Sequence, residues 1–374
     1  MSGDDRGPWF CDANAGAPVL PEVLDEFCAV ERRCPANPAS AHTAGRRARG
    51  ELEQARERIA AALRVTSNDV LFTSGGTEAA NLAVRGLGDA TLPVLLGDLE
   101  HPAVREAAAQ RGALSWQVDA SGAVIVTEPD RPIGLVALVH AQSEVGTLQP
   151  VIQAAEIART RAVPLLVDAA QSLGRVALDD VFAAGAVTAL SPHKAGGLRG
   201  HGVLAGSGLH GLLRPLMHGG GQELGLRPGT QSPALAAANA LAIELAVRTC
   251  ATRAATMRDN RAAFLDALRT TGCEHRILTP LEHSIANTAM VCFVDVDGRN
   301  LLPALDLAGV QASHGSACSS GSPTPPRILT SMAIEESLAR ACVRFSFDWF
   351  ERGEACAQVG RVVGDVVLRL RKKK

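Results

Sequence analysis

Tyrosine is absent from this chain of 374 residues, and aromatic side chains make up only 3% of it. A core built with so few rings must be packed by Leu, Val and Ala, which the 47% hydrophobic share can supply. Long apolar runs are missing as well: no stretch approaches the roughly 18 consecutive residues that a membrane-spanning helix needs. The opening Met1-Ser2-Gly3-Asp4-Asp5 lacks the basic start and apolar middle of a secretory signal, so a cytoplasmic protein is expected. Charge of one sign is not in excess, because 37 Lys and Arg stand against 39 Asp and Glu for a net −2. That balance gives no reason to expect nucleic acid as the main partner, and the basic end Arg369 to Lys374 reads as a solvated tail. Nine cysteines occur without CxxC spacing, which argues against a disulfide framework or a zinc site and for reduced thiols; no metal is expected. Internal repeats and low-complexity tracts are also absent. The length suggests a large and a small domain.

What is present is a set of buried strands that end in polar turns. The run Ala186-Val187-Thr188-Ala189-Leu190 closes abruptly at Ser191-Pro192-His193-Lys194-Ala195-Gly196-Gly197, so Lys194 is expected at the carboxyl end of a sheet strand. Open α/β sheets bind ligands at that edge. Upstream, Pro164 to Val167 delivers Asp168, followed by Gln171, in one strand–crossover–strand unit with the lysine. Most lysines are solvated surface charges, and a buried strand-end carboxylate is costly unless paired. An acid for the ring nitrogen and a lysine for the aldehyde are the two protein groups that pyridoxal phosphate (PLP) requires.

Val70-Leu71-Phe72 reads as a strand, and Thr73-Ser74-Gly75-Gly76-Thr77-Glu78 as the turn into a helix over residues 79–87. Glycines let the backbone approach an anion, and the first-turn N–H groups point at it, so Gly75, Gly76 and Thr77 form a candidate phosphate cup. Such loops open many helices that hold no ligand; the lysine and the acid favour the cup. An amphipathic helix carries Leu52, Ala55, Ile59 and Leu63 inward, its Arg- and Glu-rich face reading as solvated or subunit-facing. Residues 233–268 read as one long helix into the small domain. Strands over 290–294 and 310–313 flank a helix over 301–307, then a loop runs from 313 to 326. Of the cysteines, Cys318 alone lies in a polar, Gly/Pro-rich segment, as a thiol that hands on a product must, whereas Cys28, Cys250, Cys292 and Cys342 read as small core hydrophobes.

Asp168-x-x-Gln171 with Ser191-x-His193-Lys194 resembles the class V, fold-type I PLP enzymes, and Gly315-Ser316-Ala317-Cys318-Ser319-Ser320-Gly321 resembles the active-site loop of NifS/IscS-like cysteine desulfurases. The similarity runs from about Asp12 to Arg344. It implies an α/β fold-type I PLP transferase: a large domain over residues 15–255 with a mixed, mostly parallel seven-stranded sheet between helices, and a smaller α+β domain from residues 1–14 and 256–374 carrying the cysteine loop. It also implies a desulfurase that converts L-cysteine to L-alanine and passes sulfur, as a persulfide on Cys318, to an acceptor protein. By the same resemblance Lys194 carries PLP and moves the α-proton, and Asp168 pairs with the ring nitrogen. His101, in Glu100-His101, stacks on the ring, and Gln171 meets its phenolic oxygen. Ser191 and His193 are implied as phosphate ligands, Thr230 as crossing a homodimer interface to the neighbour's phosphate, and Arg344 as the clamp on the substrate carboxylate. Asn14, beside a turn, is expected to help there, although turn chemistry alone would account for it. The loop Asn37 to His42 is placed near the substrate entrance.

Four positions depart from the family pattern, one of them Pro192, which stands in the lysine turn where a glycine is more usual. Gly16 and Ala17 stand where two threonines are usual, and Ser143, in Gln142-Ser143-Glu144-Val145-Gly146, stands where an asparagine meets cofactor and substrate. The shorter hydroxyl cannot span the same distance, so Gln142 or a water is expected to take over. Two rival readings follow: a selenocysteine lyase, which depends less on Cys318, and a scaffold that keeps the fold but mainly binds partner proteins.

Overall fold

The computed structural model describes residues 8–296, 298–315, 325–350 and 352–372. Its strands, in chain order, are β1 Trp9–Phe10, β2 Val70–Thr73, β3 Val94–Gly97, β4 Ala113–Trp116, β5 Leu135–Val139, β6 Leu165–Asp168, β7 Val187–Leu190, β8 Gly202–Ala205, β9 His275–Ile277, β10 Thr288–Phe293, β11 Val310–Gln311 and β12 Cys342–Ser346. Seven of them form one sheet in the order β2-β8-β7-β6-β5-β3-β4. Only β8 runs against its neighbours, so the sheet is mixed and mostly parallel, as expected.

Strand alternation divides the interior into two layers. Leu71, Val94, Leu96, Leu135, Ala137 and Leu166 face the helices Gly76–Gly86 and Pro102–Ala109. Phe72, Leu95, Val136, Leu138 and Val167 face the helices Thr43–Leu63, Val151–Thr160 and Pro233–Arg248. Both sheet faces are therefore covered, and β2, β3, β5, β6 and β7 read as near-continuous buried runs. Four of the phenylalanines form a separate core: Phe264, Phe293, Phe345 and Phe347 pack between the antiparallel sheet β12-β10-β9 and the helix Gly353–Arg371. The N-terminal β1 pairs in parallel with β11, joining the two ends of the chain.

Two expectations fail here. The helix over residues 233–268 is two helices, Pro233–Arg248 and Cys250–Thr270, bent by 72°. At the break Thr249 has φ −104° and ψ 11°, and its hydroxyl donates to Leu245 O at 2.6 Å, competing with the helical ladder. The polar face of Thr43–Leu63 is not all solvated either. Arg56 is buried, its guanidinium donating to both carboxylate oxygens of Glu223 at 2.9 and 2.7 Å. That pair, with Phe72 N donating to Glu223 at 2.9 Å, pins the Gly-rich connection 219–231 that carries Thr230. Among the described residues no single helix is long and apolar enough to cross a membrane.

Candidate active site

Because β2, β3, β5, β6 and β7 share a direction, their carboxyl ends open on one edge of the sheet, and the turns that follow them converge. There they line a cavity of about 220 Å³. The turn after β2 brings Gly76 and Thr77, that after β3 His101, and that after β5 Ser143. Strand β6 and its turn bring Asp168 and Gln171, and the turn after β7 brings Ser191, His193 and Lys194. Asn14 and Arg344 enter from the antiparallel side of the chain.

Gly76 opens the helix Gly76–Gly86, whose first N–H groups have no intrahelical acceptor. A Cβ at Gly76 would lie 2.2 Å from Ser191 Oγ, so only glycine lets that hydroxyl sit against the helix start. Gly75 is the N-cap and packs its main chain where Gly202 passes, without lining the cavity. Neither does Thr230, which is exposed on the far connection, and the loop 37–42 lines a separate cavity with Gly221 to Leu224. Within one chain, that loop is therefore not at the mouth of the first cavity.

The charges are ordered by burial. Asp168 is buried and accepts Ala170 N at 2.9 Å. His101 accepts Ala103 N at 3.1 Å on Nδ1, and burial, with Lys194 adding to it against Asp168, holds its pKa down, so the ring is a neutral acceptor with Nε2–H available. Burial and then Lys194 and Arg199 push His193 down to about 4. Glu100, fully buried, is raised well above the usual carboxylate range by burial; Oε1 accepts Val139 N at 2.8 Å. Glu100 thus stands near Asp168 as an acid that burial disposes toward its protonated form. His42 and His140 stand elsewhere, the first capping the helix Thr43–Leu63.

Arg344 is almost wholly buried and donates to Asp12 Oδ1 at 2.6 Å and to Ser143 O at 2.9 Å, while its Nε has no partner among the described residues. The expected help from Gln142 does not materialise. Its carbonyl accepts Glu144 N and Val145 N at 2.6 and 2.8 Å and its amide donates to Glu144, so the side chain closes its own turn. Asn14 is likewise engaged: Nδ2 donates to Ser143 O and Thr288 Oγ1 at 3.0 and 2.8 Å, and Oδ1 accepts from Asn287. Asn14 lines the cavity as a brace for the Ser143 carbonyl, and its amide has no hydrogen left for a substrate. Asp12, Thr288 and Glu100 were not singled out from sequence; Asp12 sits two residues before Asn14 and would have been found by asking what neutralises Arg344.

Cys318 lies outside the described residues. Of the chain before it, Ser313 is bonded in both directions to the main chain of Arg344, at 3.2 and 2.7 Å. A smaller cavity of about 160 Å³ shares Leu99, His101 and Ser143 with the first and reaches Pro325 and Pro326, just beyond that segment. None of the eight described cysteines is exposed. No cluster of side chains suited to a metal ion occurs among the described residues.

The family model described as aminotransferase class-V matches residues 9–355. An IscS-like cysteine desulfurase of Mycobacterium tuberculosis is 32% identical, the match covering 90% of each chain. A putative cysteine desulfurase IscS 1 of Bacillus subtilis is 31% identical over 96% of this chain and 99% of its own. A solved NifS-like protein superposes with a TM-score of 0.86 at 28% identity, over 97% of this chain and all of its own. With the sheet order, the convergence of strand ends and a family match across nearly its whole length, the chain belongs to the class V aminotransferase family.

Proposed function

We propose that this protein is a PLP-dependent cysteine desulfurase, converting L-cysteine to L-alanine and passing the sulfur through Cys318 to an acceptor protein. The observation that carries the reading is the single cavity in which an anion-ready helix start, a buried acid, a lysine and a buried arginine meet. Their donor set fits PLP. The Gly76 cradle, Thr77, Ser191 and His193 suit its phosphate, Asp168 its ring nitrogen, Gln171 its phenolic oxygen, and Lys194 its aldehyde carbon. When bound, PLP supplies an electron sink for the carbon skeleton of the substrate.

Each protein group then has a task. Arg344 holds the substrate carboxylate, its guanidinium aimed by Asp12 and Ser143 O. Lys194 takes the proton from the substrate α-carbon. The Cys318 thiolate attacks the substrate sulfur; the S–S bond forms as the Cβ–S bond breaks, the bonding pair stays with carbon, and protons delivered there complete alanine. His101, neutral with Nε2–H available, faces the same cavity and suits that delivery. Substrate cysteine and the Cys318 thiol thus become alanine and a Cys318 persulfide, with no outside oxidant. The small cavity toward Pro325 supports an approach for the thiol from that side. The exposure of Thr230 supports its reach to a second copy in a homodimer, and the lack of CxxC spacing is in keeping with a reducing cytoplasm.

Incubating the purified protein with L-cysteine tests this, with alanine measured and intact mass read for one added sulfur. Alanine with that adduct is expected, lost in Lys194→Ala; Cys318→Ala should lose the adduct. A yellow, PLP-loaded protein that yields neither product would sink the reading.

A further inference from the structure

Arg175 is a buried guanidinium with no carboxylate against it. It is 2% exposed, and its donors go only to neutral carbonyls: Gln171 O at 3.0 Å, Gln171 Oε1 at 2.6 Å, Ala13 O at 2.9 Å and Lys194 O at 3.2 Å. Nε has no partner among the described residues. Burial first, then Arg344 and Arg253, push its pKa down to about 10, which leaves it charged at neutral pH, and Asp348 is the acid that opposes this. An uncompensated charge in that position is costly and would be replaced by an apolar side chain unless something gains from it.

What gains is the polarity of the cavity wall. A guanidinium carries donors only, so the Gln171 oxygen must be the atom facing it. The carboxamide is then fixed with Nε2 toward Asn14 O, at 2.9 Å, and one N–H left for the cavity the side chain lines. Without Arg175 the amide could turn over and present an acceptor. The same guanidinium ties the main chain of Lys194 to Ala13, while Arg253 holds Ala195 O at 2.9 Å, so the lysine turn is braced from behind by two cations.

We infer that Arg175 is a positioning residue that fixes Gln171 as a hydrogen-bond donor and sets a positive charge behind Lys194, tuning the pocket for an anionic oxygen of its ligand. The inference rests on the PLP reading, in which that oxygen is the phenolic one. The titratable and charged groups around the lysine turn are Asp168, His101, His193, Arg199, Arg253, Arg344 and Asp348, and those of them that flank Arg175 itself are Arg344, Arg253 and Asp348. Removing a nearby cation and a donor to an oxyanion both favour the protonated chromophore, so the midpoint at which the bound cofactor's visible band changes with pH must rise.

The test is a pH titration of that band in the PLP-loaded wild type, Arg175→Met and Arg175→Lys, with PLP affinity of each apoprotein from fluorescence. Arg175→Met should raise the midpoint by about one pH unit and weaken PLP about tenfold, and Arg175→Lys should recover the midpoint more than the affinity, since it restores charge but not the fork. A midpoint unmoved in both variants overturns the inference while leaving the PLP reading intact. A wild type without a visible band overturns the PLP reading and the inference with it. If Arg175→Met does not fold, Gln171→Glu decides: an acceptor now faces the oxyanion, so PLP binding should weaken at least tenfold, and unchanged binding overturns the inference.

Discussion

Gly76 and Ser191 lie so close that a Cβ on the first would stand 2.2 Å from the hydroxyl oxygen of the second. The start of the helix Gly76–Gly86 and the turn after β7 thus meet with room for no side chain between them, and both line the candidate cavity. Gly76→Ala should therefore displace Ser191 and weaken PLP at least tenfold, the worth of one hydrogen bond to a charged group. The losses should not add: with Ser191→Ala already in place the clash partner is gone, and Gly76→Ala should cost little more. Fluorescence titration of the apoproteins reads this as a coupling. Strictly additive losses would show that the two residues do not meet on a shared ligand.

The closeness of these two residues marks where sequence reading stopped. Buried runs ending in Gly76, His101, Asp168 and Lys194 were legible because a fully buried parallel strand has a strong apolar signature and a strand end is where open sheets bind. Side chains whose meaning depends on a remote partner were not. Glu223 looks like loop polarity until Arg56, 167 residues away, is seen against it, and Asp12 is unremarkable until Arg344 is. Gln142 misled because chain proximity to Ser143 suggested a substitute, whereas its amide is satisfied locally by Glu144 and Val145. The bend at Thr249 is hidden because no proline or glycine stands near it in the Ala-rich helices on either side.

Arg344 divides its donors between Asp12 and Ser143 O, a geometry only a planar fork can make. Arg344→Lys keeps charge but loses the planar fork that pairs bidentately with a carboxylate, so KM for L-cysteine should rise at least tenfold with a smaller fall in kcat. Ser143→Asn should act oppositely, lowering KM by up to about tenfold, because it adds an amide donor at the wall that Asn14 and Arg344 already fix through the Ser143 carbonyl. Steady-state kinetics separate the two parameters; a loss confined to kcat in Arg344→Lys would contradict a role in holding the carboxylate.

Glu223 holds the connection that carries Thr230, its oxygens taking Arg56 and Phe72 N, with Gln231 bonded to it as well. Glu223→Ala leaves the buried Arg56 with only Glu53, at 3.0 Å, as a carboxylate partner, and the loss should be about 3 kcal/mol, the low end for breaking a buried pair. Replacing both, as Arg56→Met with Glu223→Leu, should recover most of that stability yet leave the connection loose. Urea unfolding measures the first effect and limited chymotryptic cleavage after the exposed Leu224 the second. An unfolding midpoint unchanged in Glu223→Ala would mean that the pair does not hold the segment.

Acid should destabilise this protein well before its carboxylates titrate. Burial holds His140 and His201 at about 4, and neither has a partner on Nδ1 among the described residues. In the unfolded chain both return to about 6.5. Between those values the unfolded state binds protons that the folded state refuses, so stability falls with falling pH, by up to about 2.7 kcal/mol per pH unit for the two together. Glu100 works the other way: its raised pKa means the folded state keeps a proton the unfolded state releases above about 4.5, which adds stability at low pH and loses it as pH rises through the folded value. With His193 also held at about 4, three histidines against one acid leave the histidines in control from pH 6.5 downward. Melting temperatures at pH 7, 6 and 5 should therefore drop stepwise, and His140→Gln, which removes one titrating base, should flatten the slope. A wild-type profile flat over that range would mean that the buried rings are protonated in the folded protein, against the packing that surrounds them.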